Sequence, residues 1–305
     1  MSPIEEAILR TVIYADIFNF PLTRPELQHY LISSQPVSLA QIEQTLDSSP
    51  LLQTELDIQP EYVAYARGQG SIAVRGQRAA ASLSLWPLAL HYGQWLARLP
   101  FVRMVALTGA LAVRNASDDD DDLDYVLVTA AGRVWLARAF AIVLVRLAEL
   151  RGVVVCPNYV LAETALEQPK RDLFMAHEVA QMVPIYGLSL YRAMRACNPW
   201  VEDYLPNASD AFYVEQERLP GSGWDRLKRV IEWALGGRIG AALEGWEYRR
   251  KLRRFAGELR APHSAALLDD QHVKGHFNDH GYPVLRQYED RLRRYDLDAL
   301  PLAAD

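Results

Sequence analysis

The chain has only two cysteines in 305 residues, Cys156 and Cys197, which excludes a disulfide framework and zinc-ligand spacing. Both read as reduced core residues. No uninterrupted apolar run approaches the roughly 18 residues that a membrane-spanning helix needs. The opening MSPIEEAILR carries Glu5 and Glu6 where a secretory signal places basic and then apolar residues. These absences predict a cytoplasmic protein with no membrane partner. Net positive charge is missing too: the formal value of -6 argues against wholesale coating of nucleic acid, while a local basic surface can coexist with it. With 50% hydrophobic and 23% charged residues, the chain is long enough for two or three domains, each with its own core.

What the chain does contain is concentrated in FVRMVALTGALAVRNASDDDDDLDYVLVT, residues Phe101 to Thr129. A glycine turn separates two apolar runs, and the second run alternates Leu123, Tyr125 and Leu127 with Asp124, Val126 and Val128. On a strand this pattern points Asp122 and Asp124 to the same side. Two unit charges about 4 Å apart repel by roughly 1 kcal/mol in water and by several times that near protein, so such a pair calls for a cation. Magnesium suits it, because it takes one or two carboxylates and completes its shell with water and substrate phosphates. Asp118 to Asp121 read instead as a solvated loop, the commoner fate of like-charge blocks.

Gly109-Ala110, eleven intervening residues and then Asp122-Leu123-Asp124-Tyr125 resemble the nucleotidyltransferase superfamily that includes DNA polymerase beta, whose pattern is hG[GS], a short spacer and Dh[DE]h. The resemblance covers about a third of the chain. It implies a small mixed sheet in which the glycine turn, at a helix start, holds a nucleoside triphosphate. The Asp pair holds Mg²⁺ or Mn²⁺, and an acceptor hydroxyl attacks the α-phosphorus. Carried over to this sequence, it makes Asp122 and Asp124 the metal-binding and catalytic residues, with Gly109 and Ala110 contacting the nucleotide. Apart from the resemblance, Arg133 and Arg138 of the following helical run are expected close to the strand end that carries the acids, which makes Arg133 a candidate to bind the nucleotide's phosphates. Two departures stand out. Ala110 replaces the usual Ser or Gly, although backbone amides there can still meet phosphate. The strand expected to bring a third acid, GVVVCPNYVLA from Gly152 to Ala162, has Asn158 on its Val154, Cys156, Val160 face, and Glu163 lies just beyond it. Two readings therefore stay open: a nucleotidyltransferase moving an NMP to an unidentified acceptor (small molecule, protein or RNA), or a catalytically weak or inactive nucleotide-binding scaffold or regulator.

The expected fold class is α+β: a winged-helix-like module over 1–72, a nucleotidyltransferase-like core with a small mixed β-sheet over 73–165, and a helical C-terminal cap over 166–305. The first module resembles the winged-helix domain of bacterial regulators. Capping patterns at Thr23 and Ser38 open its second and third helices, and LLQTELDIQPEYVAYARG reads as two extended runs around Pro60. Its third helix, SLAQIEQTLDSS, holds Glu43 and Asp47 but no Arg or Lys, which argues against DNA as a partner. In the last third, Trp224 to Arg260 reads as a basic helical segment interrupted at Gly236-Gly237. His177 is a lone helical histidine beside Glu178. His272, His276 and His280 are spaced for one helix face, and Lys274 or His276 is a candidate to approach the nucleotide or acceptor.

Overall fold

The N-terminal helices form because their first turns are closed by side chains. In α1 (Pro3–Asp16), α2 (Arg24–His29) and α3 (Leu39–Ser48), the caps Ser2, Thr23 and Ser38 each accept an N–H from the third helical residue. Glu5, Glu26 and Gln41 return the bond to the cap, and each such cap contributes about 1 kcal/mol. The next stretch corrects the sequence expectation: residues read as extended form α4 (Pro50–Glu55), because Ser49 caps the Leu52 N–H and Pro50 presets the first turn. The antiparallel hairpin is correspondingly short, β1 (Leu56–Ile58) with β2 (Val63–Tyr65). The computed structural model described here covers residues 1–68, 70–257, 266–274 and 281–298.

A long helix, α5 (Ile72–Ala97), runs through Pro87 and leads into β3 (Val102–Leu107). One helical turn, α6 (Gly109–Ala112), precedes the acidic loop and β4 (Leu123–Thr129); α7 (Val134–Glu149) then crosses to β5 (Val155–Ala162). After α8 (Leu173–Ala180) come β6 (Val183–Tyr186), α9 (Leu188–Cys197) and α10 (Val201–Tyr204). The order in the sheet is β6-β3-β4-β5-β8-β7, with β7 at Leu267–Leu268 and β8 at His272–Lys274. Among the described residues only β4 and β5 are parallel, as a strand–helix–strand crossover requires; the other pairs are antiparallel. The protein is thus mixed helix and strand around a mixed six-stranded sheet.

Three of those strands come from the segment expected to be a helical cap. In β6 the run is short and carries Pro184, which suits only a sheet edge, where β6 lies. The basic segment is two helices, α11 (Ser222–Leu235) and α12 (Arg238–Arg254), broken at Gly236-Gly237 as its glycines suggest, and α13 (Gly281–Leu292) returns to α1. Residues 258–260 of that segment lie outside the described residues. Among the described residues no helix is long and apolar enough to cross a membrane.

The sheet's two faces are packed differently. Val105, Leu107, Leu123, Tyr125 and Leu127 share an apolar cluster with Trp86 of α5 and Trp135 of α7. Met104, Ala106, Val126 and Val128 face the other way, into a cluster that continues through Leu173 and Val179 to Ile8 and Leu31. The N-terminal helices therefore share a core with the sheet face on which Asp124 lies. A buried ion pair reinforces the joint: Arg75 of α5 meets Glu26 of α2 at 2.9 Å and donates to the carbonyls of Pro21 and Arg114.

Candidate functional site

Alternation along β4 puts Leu123 and Tyr125 into the closed core and Asp124 on the opposite face, at the start of the strand. The Thr108 N–H donates to the Asp124 carbonyl at 2.9 Å, drawing the preceding turn against the carboxylate. Gly109 adopts φ +69, and a Cβ built there falls 2.5 Å from Asp124 Oδ2. Glycine is thus required twice, for the backbone conformation and for the close approach. Asp122, one residue before the strand, lines the same cleft of about 590 Å³.

The neighbouring strand departs from simple alternation. Asp124 is opposite Cys156 and Tyr125 opposite Pro157, but Val126 is opposite Tyr159, so Asn158 is the extra residue of a bulge. Asn158 and Tyr159 consequently both line the cleft, while Val160, expected on the Asn158 face, joins the cluster behind the sheet. Asn158 Nδ2 donates to Asp124 Oδ1 at 2.6 Å, and Cys156 Sγ donates to Asn158 Oδ1 at 2.9 Å. The position expected for a third acid therefore holds a neutral amide that orients Asp124.

Burial pushes the Asp124 carboxyl up to about 7, aided by the charges of Asp122 and Glu178 and opposed by the Asn158 amide and the nearby Cys156 thiol. Asp122 is raised by burial and by Asp121, and the Cys156 thiol is pushed up to about 12 by burial beside both aspartates. Among the described residues neither aspartate has an ion-pair partner. Glu178 of α8 enters the cleft from the packed helix layer, raised by burial and eased by Lys274 of β8, which lines the same cleft. Sequence reasoning named Glu178 only as a neighbour of His177. The available signal was an acid in the otherwise apolar helix LFMAHEVA.

Three other expectations resolve differently. Arg133 lies past the far end of β4, whose seven residues extend about 20 Å. A crossover helix begins where its strand ends, so Arg133 cannot stand beside acids at the strand's start; it donates instead to the carbonyls of Gly132 and Gly236. His272 belongs to a strand, stacks on Tyr159 and places Nδ1 3.1 Å from the Asp269 carboxylate, so no histidine helix face begins there; His276 and His280 lie outside the described residues. Cys197, expected in the core, is exposed, because α9 ends there; Cys156 is half-buried in the cleft. His177 is buried, with Nδ1 2.9 Å from the Leu173 carbonyl, and burial holds it neutral by lowering its pKa to about 4. Ala110 lines an adjoining cavity along with Gly109, and its carbonyl accepts from the Asn115 N–H at 2.8 Å.

A divalent cation fits this donor set in one form. No group of three or more His, Cys, Asp or Glu is arranged to hold a metal among the described residues. Asp124 is nevertheless an acid largely withdrawn from water beside the exposed Asp122, and among the described residues neither has a counter-ion, which is costly unless a cation or proton joins them. Magnesium bound by two carboxylates and completed by phosphate and water meets both facts. No family model, curated protein or solved structure matches this chain.

Proposed function

We propose that the protein is a cytoplasmic, magnesium-dependent nucleotidyltransferase that moves an NMP from an NTP to an acceptor hydroxyl. The observation that carries this reading is the acid pair Asp122 and Asp124, which has no counter-ion among the described residues, with Asp124 pressed against the Gly109 turn. A mixed sheet with β3 antiparallel and β5 parallel to the acid-bearing strand supports it, as does the lysine-lined cleft. Asp122 and Asp124 would hold Mg²⁺ or Mn²⁺, which when bound supplies charge neutralisation for the triphosphate. Gly109 lets phosphate oxygens approach the backbone, Asn158 fixes the Asp124 carboxylate, and Lys170 and Lys274 favour anionic ligands in the cleft. The acceptor oxygen bonds to the α-phosphorus as the bond to the bridging oxygen breaks; pyrophosphate leaves with that electron pair. Alignment and electrostatics are the main contributions of such a site.

The N-terminal helices and hairpin support a winged-helix-like module that serves packing or protein docking: its third helix lacks basic residues, and its core is continuous with the sheet. The second reading, a catalytically weak or inactive nucleotide-binding scaffold or regulator, is favoured by the neutral Asn158 in place of an acid and by Ala110 in the turn. Thermal unfolding with each of the four NTPs, with and without Mg²⁺, tests nucleotide binding. Ligand at about a hundred times its Kd adds roughly 2.7 kcal/mol. A magnesium-dependent shift lost in Asp122→Asn/Asp124→Asn is expected, and no shift with any NTP refutes both readings. Pyrophosphate release with candidate acceptors then separates transfer from binding alone.

A further inference from the structure

Beside the acid cleft lies a second cavity of about 450 Å³, walled by α1 and the turn after it and by α8. Its lining is largely aromatic: Tyr14, Phe18, Phe20, Tyr30 and Phe174, with the His177 ring stacked 4.2 Å from Tyr14. Gly109, Phe174 and Glu178 belong to both cavities, so a molecule seated among the rings reaches the acid cleft at that seam. The charges of the two chambers differ. Lys274 and Lys170, the latter paired with Asp172 at 3.1 Å, line the acid cleft, whereas the aromatic cavity's one lysine or arginine among the described residues is Arg78. Arg78 already donates to the carbonyls of Phe18 and Asn19, and Asp121 and Glu178 add negative charge nearby. A polyanion is disfavoured there, while an apolar ring gains both area burial and aromatic contact.

We propose that the aromatic cavity is the acceptor subsite, taking an uncharged, ring-bearing alcohol whose hydroxyl lies at the seam and donates to the Glu178 carboxylate. Among the described residues Glu178 makes no hydrogen bond or ion pair of its own, which leaves its oxygens free to accept. The proposal rests on the nucleotidyl-transfer reading of the acid pair. In the transfer, the alcohol oxygen bonds to the α-phosphorus of the NTP and the bond to the bridging oxygen breaks. Pyrophosphate carries away the electron pair, and the alcohol proton passes to Glu178. The cavity also gives the N-terminal helices a role in substrate choice, since α1 supplies Tyr14 and the turn after it supplies Phe18 and Phe20.

The test titrates the full chain separately with 2-naphthalenemethanol and with magnesium tripolyphosphate, which carries no base or ring. The alcohol is expected to bind, and Phe18→Ala and Ala15→Leu to weaken it by about fivefold or more, the loss of roughly 1 kcal/mol of aromatic contact. Phe18 is 38% exposed, so its removal leaves the fold intact even if the Ala15 variant does not fold. Asp124→Asn is expected to spare the alcohol and abolish tripolyphosphate binding. The preference for the alcohol over 2-methylnaphthalene is expected to vanish in Glu178→Leu. Absence of alcohol binding, while magnesium tripolyphosphate still binds, overturns the subsite and leaves the acid-pair reading standing. Alcohol binding indifferent to both cavity variants overturns its location. Tripolyphosphate failing to bind while the alcohol binds refutes the nucleotide reading and, with it, the acceptor role.

Discussion

Glu26 and Asp124 are acids that the same fold withdraws from water and surrounds in opposite ways. Glu26, 1% exposed, has the Arg75 guanidinium at 2.9 Å and accepts from the Tyr213 hydroxyl, while its other oxygen caps α2. Asp124, half-buried, has one amide donor and two like charges for neighbours. The first arrangement is complete and holds the N-terminal helices to α5. The second is incomplete within the described protein, and the metal proposed for it would complete it.

Four measurements break or sharpen the comparison, beginning with the largest effect. Arg75→Met strands Glu26 in a dry site and is expected to destabilise the fold by about 3–5 kcal/mol in urea unfolding. A loss below about 1 kcal/mol would mean that Glu26 is no better compensated than Asp124.

Asp124→Asn is expected to lower magnesium-nucleotide affinity by about a hundredfold or more, roughly 2.7 kcal/mol, without destabilising the protein. Its pH signature has a definite sign. The Asp124 carboxyl is raised from an ordinary 3.8 to about 7 on folding, so across that window the folded state holds a proton that the unfolded state has released. Its contribution to stability is full below the lower value and is lost as pH rises through the upper one. Unfolding midpoints across this range should fall more steeply for the wild type than for Asp124→Asn, and saturating Mg²⁺ should flatten the wild-type curve. Matching slopes without metal would remove the contrast with Glu26.

Gly109→Ala forces an alanine to positive φ and its methyl against Asp124. It is expected to cost about 1–2 kcal/mol from the backbone alone and to weaken magnesium-nucleotide binding, as calorimetry would show. Arg133→Ala has the smallest expected effect, below about 1 kcal/mol on stability, with nucleotide affinity unchanged. A large loss of affinity would return Arg133 to the site and contradict its place beyond the far end of β4.

Much of the frame was legible because it depends on neighbours in sequence. The caps at Thr23 and Ser38, the alternation that turns Asp124 away from Tyr125, and the break at Gly236-Gly237 follow from local bonding and periodicity. The errors share a different origin. LLQTE has an apolar content that suits strand or helix, and the Ser49-Pro50 cap decided for helix. VPIY is too short to carry a period, and it became a strand because β3 offered an edge.

By itself, the sequence determined where α2 and α3 begin, which face of β4 carries its acid, and that the Gly109 turn precedes the Asp122 and Asp124 pair. Only the tertiary structure decided that a bulge brings Asn158 onto Asp124, that Glu178 arrives from a distant helix, and that Arg133 lies at the wrong end of the strand. It also decided that α1 closes an aromatic cavity against the site. Capping and alternation act over a few residues and leave a mark in composition and spacing. A bulge register, a crossover direction or a shared cavity wall depends on chain segments meeting across the fold, and no local pattern encodes that meeting.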